Sequence, residues 1–289
     1  MENQHVSGMA TDRILLVAVQ YGQADKTRGL LASLKRCVRP LPIDVVIVDN
    51  GYHDLGPSNP ADIGLVIPEA TKELCFETIP STNLGYFGGA NLGLQRFDPT
   101  RHRWVIVCNN DLEFDTDFFT RLLATTPPDN GVVVPRIVGS DGEDQNPQYI
   151  TAIPYHNRLA FAVLFLLPPR LGNLLFNSIY SLVRTRGMRA RKLVDDRPRE
   201  VYLPLGAIFI FPASMLRKLV NLPQVSFLYG EEMLLKRALH GLGGIFWLEP
   251  RLEVRHCESS TTRSLDSLRA WRFKREAFFG YWRYYLMGR

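Results

Sequence analysis

The first 135 residues alternate short apolar runs with helix-patterned segments, and this alternation constrains the fold more than any other feature. Ile14–Val19, Ile43–Val48, Leu74–Ile79, Trp104–Cys108 and Val132–Val134 are short and rich in β-branched residues, the pattern of strands buried on both faces. Between them, Thr27–Val38 places Leu30, Leu31, Leu34 and Val38 at helical spacing. Phe87–Phe97 reads as a helix opened by glycines, and Asp115 or Thr116 can cap a helix carrying Phe118, Phe119, Leu122 and Leu123. Strand–helix alternation predicts an α/β fold with a mostly parallel sheet and helices on both faces. Ligands of such sheets bind at the carboxyl ends of the strands. Asp49 and Asp111 both fall at predicted strand ends.

The rest of the chain is less regular. Residues 139–150 read as an exposed loop, and 157–200 as an insertion that joins an apolar stretch to an arginine cluster. Ala207–Phe211, Gly244–Leu248 and Leu252–His256 read as strands, Glu231–His240 as a helix, and the chain from Leu265 onward as one more helix.

Composition removes several classes. With 46% hydrophobic residues the chain is too apolar to be disordered. Cys37, Cys75, Cys108 and Cys257 lack C-x-x-C spacing, which argues for reduced thiols and against a disulfide framework or zinc ribbon. The polar N-terminus has no signal-peptide pattern, and the longest apolar run, Leu159–Leu167, is too short to span a membrane. A cytoplasmic protein is expected. The net charge of +5 is segregated: residues 182–200 carry seven basic and three acidic side chains, 263–289 seven and two, and the remainder 20 and 24. Basic segments meet nucleic acid, anionic lipid or phosphorylated substrates, or are solvated helix faces. No nucleic-acid reader motif accompanies them.

Four segments could carry chemistry. In Cys108-Asn109-Asn110-Asp111-Leu112-Glu113 a strand delivers a carboxylate into a turn, suited to a hard divalent cation or to capping. Asn83-Leu84-Gly85-Tyr86-Phe87-Gly88-Gly89-Ala90-Asn91 allows close backbone approach to a ligand, or close packing of helix on sheet. Glu231 and Glu232 open a helix, where they are either favourable first-turn charge or a general base. His256 ends a strand, where it could ligate a metal, bond a phosphate or serve structure alone.

Taken in order, these segments resemble family 2 glycosyltransferases of the GT-A (Rossmann-like nucleotide-diphospho-sugar transferase) fold, most nearly the bacterial rhamnosyltransferase-like branch. The resemblance rests on VDNG at 48–51, NLGYFGGANLGL at 83–94, NND at 109–111, LPLGAIFIF at 203–211, FLYGEEMLLKRALHGLG at 227–243 and VRHCESS at 254–260. It covers residues 13–262 and so implies a transferase domain over 1–262, followed by a basic, aromatic helix over 263–289. It implies that Asp49 contacts the nucleotide base. Asn83, Gly85, Gly88, Gly89 and Asn91 would line the donor pocket, with Gly206 near the diphosphate. Asn109, Asn110 and Asp111 stand where the family has D-x-D, with Asn in place of the first acid. Asp111 would hold Mg²⁺ or Mn²⁺, helped by His256, and Glu232, or its neighbour Glu231, would be the base of an inverting transfer. The implied donor is a nucleotide-diphospho-sugar, dTDP-rhamnose first and UDP-sugars next. The implied acceptor is a glycan or a lipid-diphosphate-linked glycan. The tail places Leu268, Trp271, Phe278, Trp282 and Tyr285 on one stripe flanked by arginines, which suits an anionic membrane surface, packing on the body or a homodimer contact. A sugar nucleotidyltransferase would carry a Gly-rich, Arg/Lys-bearing loop after the first strand, and Val19-Gln20-Tyr21-Gly22-Gln23 is not one. A non-catalytic sugar-nucleotide-binding protein of the same fold is the other alternative.

Overall fold

A computed structural model of the chain describes residues 12–55, 73–175, 196–224, 228–257 and 267–287. In chain order the elements are β1 Arg13–Gln20, α1 Ala24–Arg36, β2 Ile43–Asp49, α2 Tyr52–Leu55, β3 Leu74–Pro80, α3 Tyr86–Leu94, β4 His102–Asn109, β5 Leu112–Phe114 and α4 Phe118–Leu123. There follow β6 Gly131–Gly139, α5 Tyr155–Leu166, β7 Arg199–Val201, β8 Ile208–Pro212, α6 Ala213–Leu219, α7 Glu231–Gly241, β9 Ile245–His256 and α8 Ser267–Met287.

The strands form one nine-stranded sheet in the order β3-β2-β1-β4-β8-β6-β9-β5, with β7 paired to β9. Six of the nine run the same way, and β8, β5 and β7 oppose them. The mostly parallel sheet is as expected. β1 lies between β2 and β4, so the chain progresses outward through β2 and β3 and then returns to the other side of β1. That reversal opens a crevice at the carboxyl ends of the strands, where side chains and ligands can enter.

β1 is buried along its whole length, and its alternate residues serve two cores. Ile14, Leu16 and Ala18 join Leu30 and Leu34 of α1 and Phe118 and Phe119 of α4 on one face. Leu15, Val17 and Val19 join Phe87 and Ala90 of α3, Met215 of α6 and Leu235 and Leu239 of α7 on the other. Each large side chain so buried stabilises the fold by about 1.5–3 kcal/mol relative to exposure. A third cluster docks α8 on α5 and on Met233 of α7, with Phe165 stacked 4.8 Å from both Trp271 and Phe278.

Two expectations change, and for the tail one of the alternatives, packing on the body, is observed. The two strands placed at 244–248 and 252–256 are one strand of 12 residues, β9, whose pairing with β6 shifts register between Pro135 and Arg136. Residues 139–150 are not a free loop. Gly139 and Gln145 donate backbone hydrogen bonds to Glu143 and Ile137, and the Asn146 side chain, buried, donates to Pro135 O and accepts from Leu205 N at 2.6 and 2.9 Å. The aromatic stripe of the tail is not a free face, because Trp271, Phe278 and Tyr285 are buried against the body. The basic stretch from 176 to 195 lies outside the described residues.

Candidate active site

A cleft of about 370 Å³ opens at the carboxyl ends of the strands. β1 and the residue after it supply Val19 and Tyr21, the turn after β2 supplies Asn50, and the entry into α3 supplies Asn83, Gly85 and Tyr86. The β4–β5 turn brings Asn109, Asn110 and Asp111; Leu205, Gly206 and Ala207 lead into β8; Glu231 and Glu232 open α7; His256 ends β9. The far wall is Arg269 and Phe273 of α8.

Strand pairing creates the first constellation. Antiparallel pairing sets Leu112 of β5 opposite His256 of β9, and Cys257 N donates to Asp111 O at 2.9 Å. Asp111, almost fully buried, thereby lies with Oδ2 at 3.4 Å from His256 Nε2. On its other side the ring uses Nδ1, 2.7 Å from the amide oxygen of Gln145. An amide oxygen only accepts, so Nδ1 donates to it, and Nε2 faces the Asp111 carboxylate. Two acceptors facing each other need a proton or a cation between them. Ligands on adjacent corners of a six-coordinate ion with bonds of about 2.1 Å sit about 3 Å apart, so this pair fits a divalent metal. Among the described residues no group of three or more His, Cys, Asp or Glu side chains is gathered. Among the described residues Asp111 and His256 would give two ligands, with further positions open to ligand oxygens and water.

The second constellation is the acid pair. Gly230 at φ 80° and Tyr229 at φ 69° turn the chain sharply into α7, so both glutamates sit in the first turn, where the helix dipole favours anions. Glu232 Oε1 accepts a hydrogen bond from Gly206 N at 2.9 Å. A Cβ on Gly206 would lie 2.7 Å from Glu232 Oε1, so a side chain there would displace the carboxylate. Burial raises both carboxyls above the ordinary range, and the charge of Glu232 raises Glu231 further. Such a pair holds a proton at pH values where a solvated carboxylate has none.

The cleft thus gathers nine of the residues expected from sequence: Asn83, Gly85, Asn109, Asn110, Asp111, Gly206, Glu231, Glu232 and His256. The others lie beside it. Asp49 is buried and turned back on its own turn, accepting from Gly51 N at 3.2 Å, so Asn50 takes its place in the cleft wall. Gly88 and Gly89 serve packing, because Cβ atoms there would meet Gln224 Nε2 at 2.4 Å and Val19 Cγ1 at 3.0 Å. Asn91 ties α3 to Leu222, donating to its O at 3.0 Å and accepting from its N at 2.9 Å. Asn110 turns its amide away, donating to Thr27 Oγ1 at 3.0 Å.

Sequence reasoning missed Asn50, Tyr21, Tyr229, Arg269 and Phe273, whereas Tyr86 lies within the segment expected to line the pocket. Asn50 holds the loop before α3, donating to Gly85 O at 2.9 Å and accepting from Leu84 N at 3.3 Å. Its signal was its place in the VDNG turn. Arg269 and Phe273 had no local signal, since only the docking of α8 brings them to the cleft.

No protein-family model matches this sequence, and no curated protein matches it either. Solved structures do. GalNAc-T7, determined with UDP, GalNAc and Mn²⁺, superposes with a TM-score of 0.56 at 12% identity over 87% of this chain and 44% of its own. S. aureus TarS, residues 1–349, superposes with a TM-score of 0.51 at 11% identity over 85% of this chain and 60% of its own. The chain therefore spans about half the length of these structures. At such identity the likeness is one of fold, and the fold is that of GT-A glycosyltransferases.

Proposed function

We propose that the chain is an inverting glycosyltransferase that moves a sugar from a nucleotide-diphospho-sugar to a hydroxyl of a glycan or lipid-linked glycan. One observation carries the reading: a single cleft sets the Asp111–His256 pair and a glutamate pair fixed by Gly206 N in the same wall lining. The GT-A fold supports it, as does the resemblance of the segments that supply these residues. dTDP-rhamnose is the first donor to try and UDP-sugars the next.

Asp111 and His256 would hold Mg²⁺ or Mn²⁺. When bound, the ion neutralises charge on the donor's diphosphate and its leaving oxygen. Glu232, oriented by Gly206 N–H, accepts the proton of the acceptor hydroxyl. The hydroxyl oxygen bonds to the anomeric carbon on the face opposite the diphosphate, the carbon–oxygen bond to the diphosphate breaks, and its electron pair leaves with the nucleoside diphosphate. Direct displacement inverts the anomeric centre. General-base assistance of this kind contributes about 10²–10⁴-fold. Of the two, Glu232 is the one held by the backbone hydrogen bond from Gly206 N, and so the one proposed to act.

The acceptor proposal extends to the surface. Tyr155, Leu159, Val163 and Leu166 leave one side of α5 apolar and exposed, Leu166 at 64%. No helix among the described residues is long and apolar enough to cross a membrane. The α5 face, followed in sequence by the arginine-rich 182–200 segment, suits contact with the inner face of an anionic cytoplasmic membrane.

A thermal-shift screen over nucleotide sugars, with Mg²⁺ or Mn²⁺, tests the donor, because a ligand that binds only the folded chain raises Tm. The preferred donor should then be turned over by the wild type, while Glu232→Gln keeps the Tm shift and loses at least about 10²-fold in transfer. Binding without transfer or hydrolysis by the wild type would make the chain a binding protein, and full activity in Glu232→Gln with a dead Glu231→Gln would move the base by one residue.

A further inference from the structure

The reaction just proposed gives no role to the far wall of the cleft. Arg269 and Phe273 reach it one helical turn apart on α8, with the Arg269 guanidinium 5.8 Å from the centre of the Phe273 ring. Arg269 is exposed, and among the described residues it makes no hydrogen bond or ion pair. The formal charges on the other lining residues are Asp111, Glu231 and Glu232, all acidic. The wall is nevertheless rigidly placed. Trp271, between the two residues, is buried against Phe165, and Ala277 packs so closely on the turn before α7 that a Cβ on Gly230 would lie 2.9 Å from its own. Tyr229 in that same turn adds a second ring to the cleft lining.

α8 therefore packs against the turn that leads into the glutamate pair, with Ala277 and Tyr281 against Gly230 and Lys274 over the Tyr229 ring. In a direct displacement the acceptor must lie on the glutamate side. Aromatic rings there offer surface for the apolar face of a sugar ring. An arginine left without an anionic partner offers a planar fork that matches the oxygens of a phosphate. We infer that Arg269 and Phe273 form an acceptor subsite for a phosphate-bearing sugar, the ring against Phe273 and the phosphate on Arg269. This rests on the glycosyl-transfer reading.

Calorimetric titration of the full chain tests it, with the chain saturated by Mn²⁺ and whichever of UDP or dTDP stabilises it more. The probes are glucose 1-phosphate, methyl glucoside, inorganic phosphate and a dodecyl phosphodiester of glucose. Glucose 1-phosphate should bind at least about tenfold more tightly than methyl glucoside or inorganic phosphate. Arg269→Ala should erase that advantage and leave methyl glucoside and the nucleotide unchanged, Arg269→Lys should restore part of it, and Phe273→Ala should weaken the sugar probes alone. Tighter binding of the dodecyl diester than of glucose 1-phosphate supports the subsite with a lipid-carried source. Equal binding supports it with a phosphate free or borne on a glycan. Weaker binding of glucose 1-phosphate to the nucleotide-saturated chain than to the chain with Mn²⁺ alone, loss of nucleotide affinity in Arg269→Ala, or inorganic phosphate binding as tightly as the sugar phosphate would each overturn it. If the nucleotide binds and no sugar phosphate does, the subsite fails alone; if no nucleotide sugar or nucleotide binds, the transferase reading fails first.

Discussion

At the scale of single residues, the cleft is governed by what one glycine allows. Gly206 gives Glu232 both its hydrogen bond and the space for its carboxylate. Gly206→Ala places a methyl group 2.7 Å from Oε1, so the carboxylate has to move. Transfer should fall about 10²-fold with the donor-induced Tm shift retained, since misplacing a base by about 1 Å has costs of that size. The neighbouring Glu231 gives a pH prediction. Its carboxyl is raised in the folded chain by burial and by Glu232, so the folded state binds a proton that the unfolded state releases. Its ionisation therefore destabilises the fold as pH rises through the raised pKa. Glu231→Gln should raise Tm at pH 9 and leave it nearly unchanged at pH 5, as read by calorimetry at both pH values. An equal effect at the two pH values would mean that the charge carries no desolvation cost. Much of this was legible in the sequence: the acid pair, Asp111 and His256 each stand out at the end of an element. That Asp49 turns inward and Asn50 faces the cleft was not, because which of two adjacent turn residues looks outward depends on a hydrogen bond, Gly51 N to Asp49 Oδ1, that spacing does not encode.

At the scale of elements, buried strands announce themselves and docked helices do not. β1, β2 and β4 read correctly because burial on both faces demands unbroken apolar runs. The glycines of α3 read ambiguously, as donor-pocket backbone or as packing. Gly93 shows why packing prevails: a Cβ there would meet Val17 Cγ1 at 2.3 Å. The tail helix was the reverse case, an aromatic stripe whose partner, Phe165, is more than a hundred residues distant in sequence. Its docking explains why Trp271 is buried to within 1% of its surface. Trp271→Ala should cost about 3–5 kcal/mol, the range for emptying a large buried aromatic site, and should release Arg269 from the cleft. Denaturant unfolding followed by tryptophan fluorescence and far-ultraviolet dichroism measures it. A change below about 0.5 kcal/mol, the level of ordinary surface substitutions, would mean that α8 is only laid on the body.

At the scale of the whole molecule, the charge distribution and the apolar surface point the same way. The remainder of the chain outside 182–200 and 263–289 has more acidic than basic side chains, 24 against 20, as befits a cleft holding Asp111 and two glutamates. The surplus that makes the chain basic lies in those two segments. Because the aromatic stripe of α8 is buried, the proposed membrane contact would fall to its outward arginines, Arg272 and Arg283, and to the exposed side of α5. Electrostatic attraction alone would bring the chain to an anionic surface and be screened over about 8–10 Å in physiological salt. Insertion of Leu159 and Leu166 would add a contribution that salt does not screen. The full chain should therefore co-sediment with phosphatidylserine-containing vesicles and not with phosphatidylcholine alone. Raising salt from 0.1 to about 1 M should remove part of the binding, and Leu159→Ser with Leu166→Ser should remove the part that salt leaves. Arg272→Glu with Arg283→Glu should do the opposite, weakening the salt-sensitive part only. Binding that vanishes entirely in salt would reduce α5 to a solvent face, and equal binding to neutral vesicles would leave the segregated charge without a role at the membrane.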